Sequence, residues 1–296
     1  MKIITILLVL VVAAMLWQHF RYLQARRGVV QDQQAILHSP SSFHVITFLK
    51  IEEGADVIPE VSRLRSEIEA SGNAHMVYAG QAAFTVESSQ LGPQAWDAVV
   101  LVQYPSRESY EAQAKSVRQR EALATFSETY SYGMQRSPVV NLLVPQILLG
   151  LRVADIFRGN WKVEDLAPMP ASENPEQIRL FKSRVADLLR LQPVNDEAVV
   201  IFNLVRPGNQ DQRSANSSYG RKMMTRMAAL AHGPMHIGTA VPLEGEARFK
   251  EIVVVYYPGV RYFAELVGSR FFQGIIGDKQ LGDTLVVPTV PILSQL

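Results

Sequence analysis

The sequence predicts an α+β protein: two βαββαβ repeats packed as a pseudo-dimeric α/β barrel, plus one N-terminal transmembrane helix. Three observations carry this reading. An 18-residue apolar run without a charge opens the chain, from Ile3 to Phe20. Two distant segments then read almost alike: "WDAVVLVQYPSRESY" from Trp96 to Tyr110, and "FKEIVVVYYPGVRYF" from Phe249 to Phe263. Hydrophobic periodicity around each of them alternates between strand and helix in the same order.

The apolar run, "IITILLVLVVAAMLWQHF", would measure about 27 Å as a helix, close to the roughly 30 Å of a bilayer's hydrocarbon core. Trp17 and Phe20 fall where an interfacial aromatic belt belongs. Ala13-Ala14 is followed by bulky Met15, Leu16 and Trp17, a poor cleavage site for a signal peptide. Arg21, Arg26 and Arg27 follow the run, against Lys2 and the amino group before it. The positive-inside rule then puts the body in the cytoplasm, on a single-pass anchor in a bacterial inner membrane; the charge difference is small, and the alternative places the body on the outer side.

The two similar segments align without a gap. Val100 matches Val253, Val102 matches Val255, and Tyr104-Pro105 matches Tyr257-Pro258. Each is a β-branched run ended by a proline, which cannot donate to a strand ladder. Ser106 then suits an N-cap, with Glu108 in the first turn. Two further blocks match in the same order: Val45–Gly54 with Val199–Gly208, and Val61–Ala82 with Tyr219–Ala240. Three ordered matches point to a tandem duplication. In the second copy the expected elements are strand Ala198–Val205, helix Ser218–Ala231, strands Met235–Ala240 and Glu251–Tyr257, helix Val260–Ile275 and strand Thr284–Val287. That is the split βαβ, or ferredoxin-like, order. Each such unit leaves one sheet face bare, so two units are expected to stack face to face around an apolar cavity.

Between the copies, "VVNLLVPQILLGLRVADIF" (Val139–Phe157) is apolar but broken by Pro145, Gly150 and Arg152. It is too short before Arg152 to span a bilayer. It suits either packing on the barrel or lying in the membrane interface beside the anchor. Asn174, Pro175 and Gln177 then read as N-cap, N1 and N3 of a helix running to about Arg190. The resulting organisation is an anchor (1–22), a juxtamembrane linker (23–42), repeat 1 (43–138), an apolar and helical connector (139–194) and repeat 2 (195–296).

The series "FNLVRPG … YGRKM … HIGTA … FKEIVVVYYPGVRYFAELVGSRFFQGI" resembles the dimeric α/β-barrel (ferredoxin-like) superfamily, and within it the small bacterial domain-of-unknown-function proteins. The second copy keeps that group's Asn203, Tyr219 and Tyr257-Pro258. The first keeps Tyr104-Pro105 but has Leu49 in the place aligned with Asn203 and Val61 in that of Tyr219. The resemblance covers both repeats and implies the fold. It implies little about activity, because better-known relatives, cofactor-free monooxygenases and muconolactone-type isomerases, share shape more than residues.

Composition narrows the function. A net charge of +1 argues against a nucleic-acid binder. The lack of cysteine excludes disulfides, Cys-ligated zinc, iron–sulfur clusters and a thiol nucleophile. The chain has no P-loop, no Gly-x-Gly-x-x-Gly, no Gly-x-Ser-x-Gly and no His-Glu-x-x-His. His232 and His236 are four apart, but Gly233-Pro234 between them breaks a helix, so no metal and no cofactor is expected. The candidate ligand-binding residues are Asn203, Tyr219, His236 and Tyr256. If the face that carries Asn203 looks into the cavity of the barrel, Asn203 and His236 meet there with Tyr219 nearby, while of the adjacent Tyr256 and Tyr257 one faces the helices and the other away. Such a set can bind a carbonyl or a phenol, or move a proton; equally, these are polar groups satisfied within an apolar core. The expected partners are the membrane and a small apolar or aromatic molecule, with the two repeats pairing inside one chain. The alternative function is a non-catalytic membrane-bound scaffold or protein-interaction module.

Overall fold

A computed structural model of the 296-residue chain describes residues 2–29, 37–87, 95–163, 165–170, 172–191, 198–230, 232–243 and 245–296. The expected juxtamembrane linker, the loop before Trp96 and the start of the second copy fall partly on 30–36, 88–94 and 192–197, outside the described residues. Helix α1 spans Lys2–Gln24 and is followed by β1 (Phe43–Lys50), α2 (Val57–Glu69), β2 (His75–Ala82), the two-residue β3 (Val86–Glu87) and β4 (Ala98–Tyr104). Short helices α3 (Arg107–Ala114) and α4 (Val117–Leu123) lead to β5 (Glu128–Arg136). Helices α5 (Val140–Phe157) and α6 (Pro175–Arg190) connect to β6 (Val199–Arg206), α7 (Gln210–Leu230), β7 (Gly233–Pro242) and β8 (Glu251–Tyr257). The chain ends with α8 (Val260–Val267), α9 (Arg270–Gln273), a 3₁₀ turn over Ile276–Asp278, β9 (Asp283–Pro291) and a last 3₁₀ turn.

The strands run in the order β2-β4-β1-β5-β7-β8-β6-β9, and a further β2–β9 pairing closes these eight into a barrel. All the pairings are antiparallel. The first four strands of the barrel follow the order β2-β4-β1-β5 and the last four β7-β8-β6-β9, with β5–β7 and β2–β9 as the two seams. Strand alternation gives each strand an inner and an outer row. Ile46, Phe48, Leu101, Val200, Phe202, Leu204 and Val254 point inward with Tyr78, Tyr132 and Met134, forming one cluster of buried side chains. Eight strands leave an interior just wide enough for side chains, and these occupy it. The outer rows carry two separate layers. Val61, Leu64 and Ile68 of α2 cover Phe43, Val45 and Leu49. Met223 and Met227 of α7, with Val260 and Phe263 of α8, cover Val199, Ile201 and Tyr257.

Local chemistry explains where elements start. Ser106 Oγ accepts from Ser109 N at 3.2 Å, so the expected cap opens α3. Asn174 Oδ1 accepts from Gln177 N at 3.4 Å at the head of α6, which ends at Arg190 as its pattern predicts. Helix α7 begins eight residues before the expected Ser218. The reason is a reciprocal capping pair: Gln212 N donates to Asn209 Oδ1 at 3.0 Å, and Asn209 N to Gln212 Oε1 at 2.9 Å. The expected single helix Val260–Ile275 is broken at Gly268, where Ser269 caps the separate α9 through Phe272 N. There Gly268 O accepts from Met169 N at 2.9 Å, which ties the break to the connector.

Helices α1 and α5 are both long and apolar enough to cross a membrane, with mean hydropathies of 2.3 and 1.6. Only the C-terminal end of α1 is buried, at Gln18, His19 and Tyr22. Tyr22 Oη donates to Pro234 O at the start of β7. Arg26 donates through Nε and Nη2 to Tyr22 O, at 3.0 and 2.8 Å. Tyr22 also packs with Val140, Val144 and Leu148 of α5 and Ala228 of α7. The other side of α5 exposes Leu143, Ile147, Val153 and Phe157.

Phe202 tests whether the interior is packed as solid core. It is fully buried, with its ring 5.3 Å from that of Tyr78. Phe202→Ala is expected to lower unfolding stability by about 3–5 kcal/mol, read from urea unfolding of the full chain in detergent. A loss below about 1 kcal/mol would mean that the interior collapses freely around the gap.

Candidate functional site

The outer row of the second half holds a cavity of about 550 Å³ between the sheet and its helices. Its floor is Ile201, Asn203 and Val205 of β6 with Val253, Val255 and Val286 of the flanking strands. Tyr219 and three methionines of α7, with Phe181 and Arg184 of α6, lie across it. Lys279, just after the 3₁₀ turn, reaches it from one side. The matching place in the first half is almost closed. Val45, Thr47, Val100, Val102 and Tyr104 border a space of only about 20 Å³ there. Tyr104 and Tyr110 fill it edge to face, with ring centroids 5.2 Å apart.

The sheet divides the four expected ligand-binding residues into two pairs. Asn203 and Tyr219 line the cavity. His236 and Tyr256 face the other way, into the barrel interior, where each is at most 5% exposed. The expected meeting of Asn203 with His236 therefore does not occur, because residues on opposite faces of one sheet cannot touch. The expected cavity inside the barrel is likewise corrected: the interior is filled and the open space lies outside it.

Register corrects one more expectation. Asn203 pairs with Val253, and the residue pairing with the equivalent Val100 is Thr47, not Leu49. The sequence alignment had slid by two residues to match Phe48 with Phe202. A two-residue slip keeps every side chain on its own face, so hydrophobic alternation cannot reveal it. At β2 and β7 the alignment agrees with the register: both ladders shift just before Tyr78 and His236, which pair with Leu101 and Val254.

Asn203 is held by the backbone around it. Its Nδ2 donates to Ile201 O at 3.2 Å and Val253 O at 3.0 Å. That turns Oδ1 toward Lys279, whose Nζ donates to it at 3.4 Å. Burial pulls the Lys279 ammonium down to about 8. Burial also pushes the Tyr219 phenol up, so it stays protonated. Lys279 escaped the sequence reading because it sits in a turn-rich stretch, "GDKQLGD", with no periodicity to place it. A lone lysine in such a stretch reads as solvated.

At the end of the barrel near α1, His236 lies with His44 at 6.0 Å between ring centroids, and His44 with His38 at 5.9 Å. Burial lowers His44 and His236 well below the ordinary histidine value, and Arg136 adds to it in both. Both are neutral in the fold. His232 belongs elsewhere, its Nε2 lying 3.1 Å from Tyr262 Oη, with burial taking it down to about 4.

An eight-stranded antiparallel α/β barrel with a largely apolar cavity on the outer face of one half is the class that this geometry defines. No protein-family model matches the chain, and no curated protein matches it. Among solved structures the chain is similar to a proposed monooxygenase from Lactobacillus acidophilus at 11% identity and a TM-score of 0.41, over 85% of this chain and 94% of that one. It is similar to another from Fusobacterium nucleatum at 8% and 0.44, over 86% and 94%. It is also similar to the chlorite dismutase of Candidatus Nitrospira defluvii at 10% and 0.41, over 87% and 94%.

The two buried histidines set a pH dependence. Below about pH 6.5 the unfolded chain binds protons that folded His44 and His236 do not. Stability should therefore be full above that pH and fall below it, by at most about 1.4 kcal/mol per pH unit for each histidine. Urea unfolding at pH 7.5 and 5.5 reads this, and His236→Leu should reduce the slope. His38, Arg26 and Arg136 face the same cluster in both variants. Stability that rises on acidification would contradict the assignment.

Proposed function

We propose that this is a membrane-anchored, tandemly duplicated α/β barrel whose second half binds a small lipophilic molecule. The cavity carries the reading. Its volume lies within the roughly 300–1,000 Å³ of small-molecule sites, and such sites are mostly apolar with a few convergent polar groups. Left empty, a space of this size forfeits dispersion contacts along its whole wall. The duplication is supported by the common strand order of the two halves and by the matching ladder shifts at Tyr78 and His236. It assigns 43–138 and 195–296 to the two ferredoxin-like repeats, with 1–22 as a single-pass anchor and the body on the cytoplasmic side.

The anchor and the cavity are close in the fold. Met224 lines the cavity and also packs against the cluster that holds Tyr22 of α1 and Leu148 of α5. A molecule dissolved in the bilayer would thus reach the cavity along apolar surface. The exposed stripe Leu143, Ile147, Val153 and Phe157 continues that surface beside the anchor and suits the membrane interface. The same stripe, with the filled barrel interior, favours a second reading as a scaffold for another membrane protein.

Native mass spectrometry of the full chain, extracted gently from its own host, separates the two. A reproducible added mass is expected, reduced at least tenfold in occupancy by Val253→Phe, which fills the cavity floor. A bare chain mass in both proteins, or a mass accounted for by a co-purified polypeptide, would move the assignment to the scaffold.

A further inference from the structure

We propose that the ligand of this cavity is an amphipathic monoanion, its charged head held by Lys279 and its tail laid along the methionine-rich wall of α7. The inference rests on the cavity-binding reading and adds the chemical class.

The charges around the cavity point one way. Its lining carries two cations, Lys279 and Arg184, and no carboxylate among the described residues. The carboxylate nearest to Lys279 in sequence, Asp278, is engaged by Lys222 at 3.2 Å. The Lys279 ammonium has a single polar partner among the described residues, the amide oxygen of Asn203. Lys279 is half-buried; an ammonium offers three donors, and one neutral acceptor does not balance its partial removal from water. Asn203 cannot turn away, because its amide nitrogen is committed to the carbonyls of two strands. The Lys279 head is therefore held at the wall with donors to spare, where an incoming anion would complete the set. The Arg184 guanidinium lies over the rings of Phe84 and Phe181, at 5.6 and 5.9 Å from their centroids, and adds to the positive potential. Away from these groups the wall is apolar, and α7 contributes Met223, Met224 and Met227 to it. Their unbranched, polarisable side chains adapt to a linear or irregular tail. A neutral ligand would leave the ammonium unbalanced, and a cationic one would meet two like charges.

The test uses the full chain in discs of zwitterionic lipid, titrated calorimetrically against empty discs with dodecanoate and dodecanol. At pH 7 dodecanoate is expected to bind at least tenfold more tightly. Lys279→Met keeps the side-chain length and removes the charge. It should bring the two probes to equal affinity and leave dodecanol unchanged, whereas Lys279→Arg should keep the preference. The unaltered chain gives a second arm. Between pH 7 and 9.5 the preference for dodecanoate should fall as Lys279 loses its proton, by about tenfold per pH unit at most above its titration. The other ionisable side chains on the lining are Arg184, Tyr219 and Tyr257, and burial keeps both phenols protonated. Equal binding of the two probes to the unaltered chain, or a preference that survives in Lys279→Met, would overturn the role of Lys279 while leaving a lipophilic site. Failure of both probes to bind would overturn the cavity reading itself.

Discussion

Closure of the barrel through the β2–β9 and β5–β7 pairings is the constraint on which the other features depend. Closure leaves no free edge among the eight strands and fixes which row of each strand is enclosed. The enclosed row becomes solid core, with Phe48, Tyr78, Tyr132 and Phe202 at its centre. Room for a ligand can then exist only on the outer rows, under the helices. Which half opens depends on how its helices sit. In the first, Leu64 and Leu123 close down on Tyr104 and Tyr110. In the second, the long α7 and the turn before Lys279 stand off the sheet and leave the cavity.

Helix α1 is not an appendage on this barrel. Its last turn is locked to the start of β7 by Tyr22 on Pro234 O, and Arg26 lies across the Tyr22 ring. The Arg26 guanidinium then reaches the same barrel end as His44, His236 and Arg136. Helices α1 and α5 and the barrel therefore share one buried contact region, with α5 wedged between α1 and α7. The orientation of the barrel relative to α1 is fixed by side-chain contacts and not by a tether alone.

Much of the fold was legible because its signals are local or periodic. The Tyr-Pro strand ends, the Ser106 and Asn174 caps and the apolar Ile3–Phe20 run each follow from a few adjacent residues. What escaped was set by contacts distant in sequence or hidden from periodicity. The two-residue slip at β1 was silent because it preserved sidedness. The early start of α7 was available in Asn209 and Gln212, whose spacing is that of a capping box, though the polar run after them looked like loop. The candidate site was half legible. Asn203 and Tyr219 stand out as polar residues where the aligned positions of the first half are apolar, and they line one cavity. His236 and Tyr256 are polar residues of the neighbouring strands β7 and β8, but alternation alone does not say which row faces inward.

The division of labour between the two sheet faces has an energetic logic. A filled interior supplies the burial that stability needs, about 25 cal/mol per Å² of apolar surface removed from water. That lets the outer layer of one half depart from close packing and keep a desolvated lysine, both of which destabilise a fold when nothing occupies the space. Sites that break local packing rules are where function is expected to sit. Here the departures coincide: a cavity of about 550 Å³, the mid-strand asparagine and the half-buried Lys279 share a single wall, while the corresponding wall of the other half is packed shut. The half with the packed wall adds its burial to the fold, and the half with the cavity holds the departures from close packing.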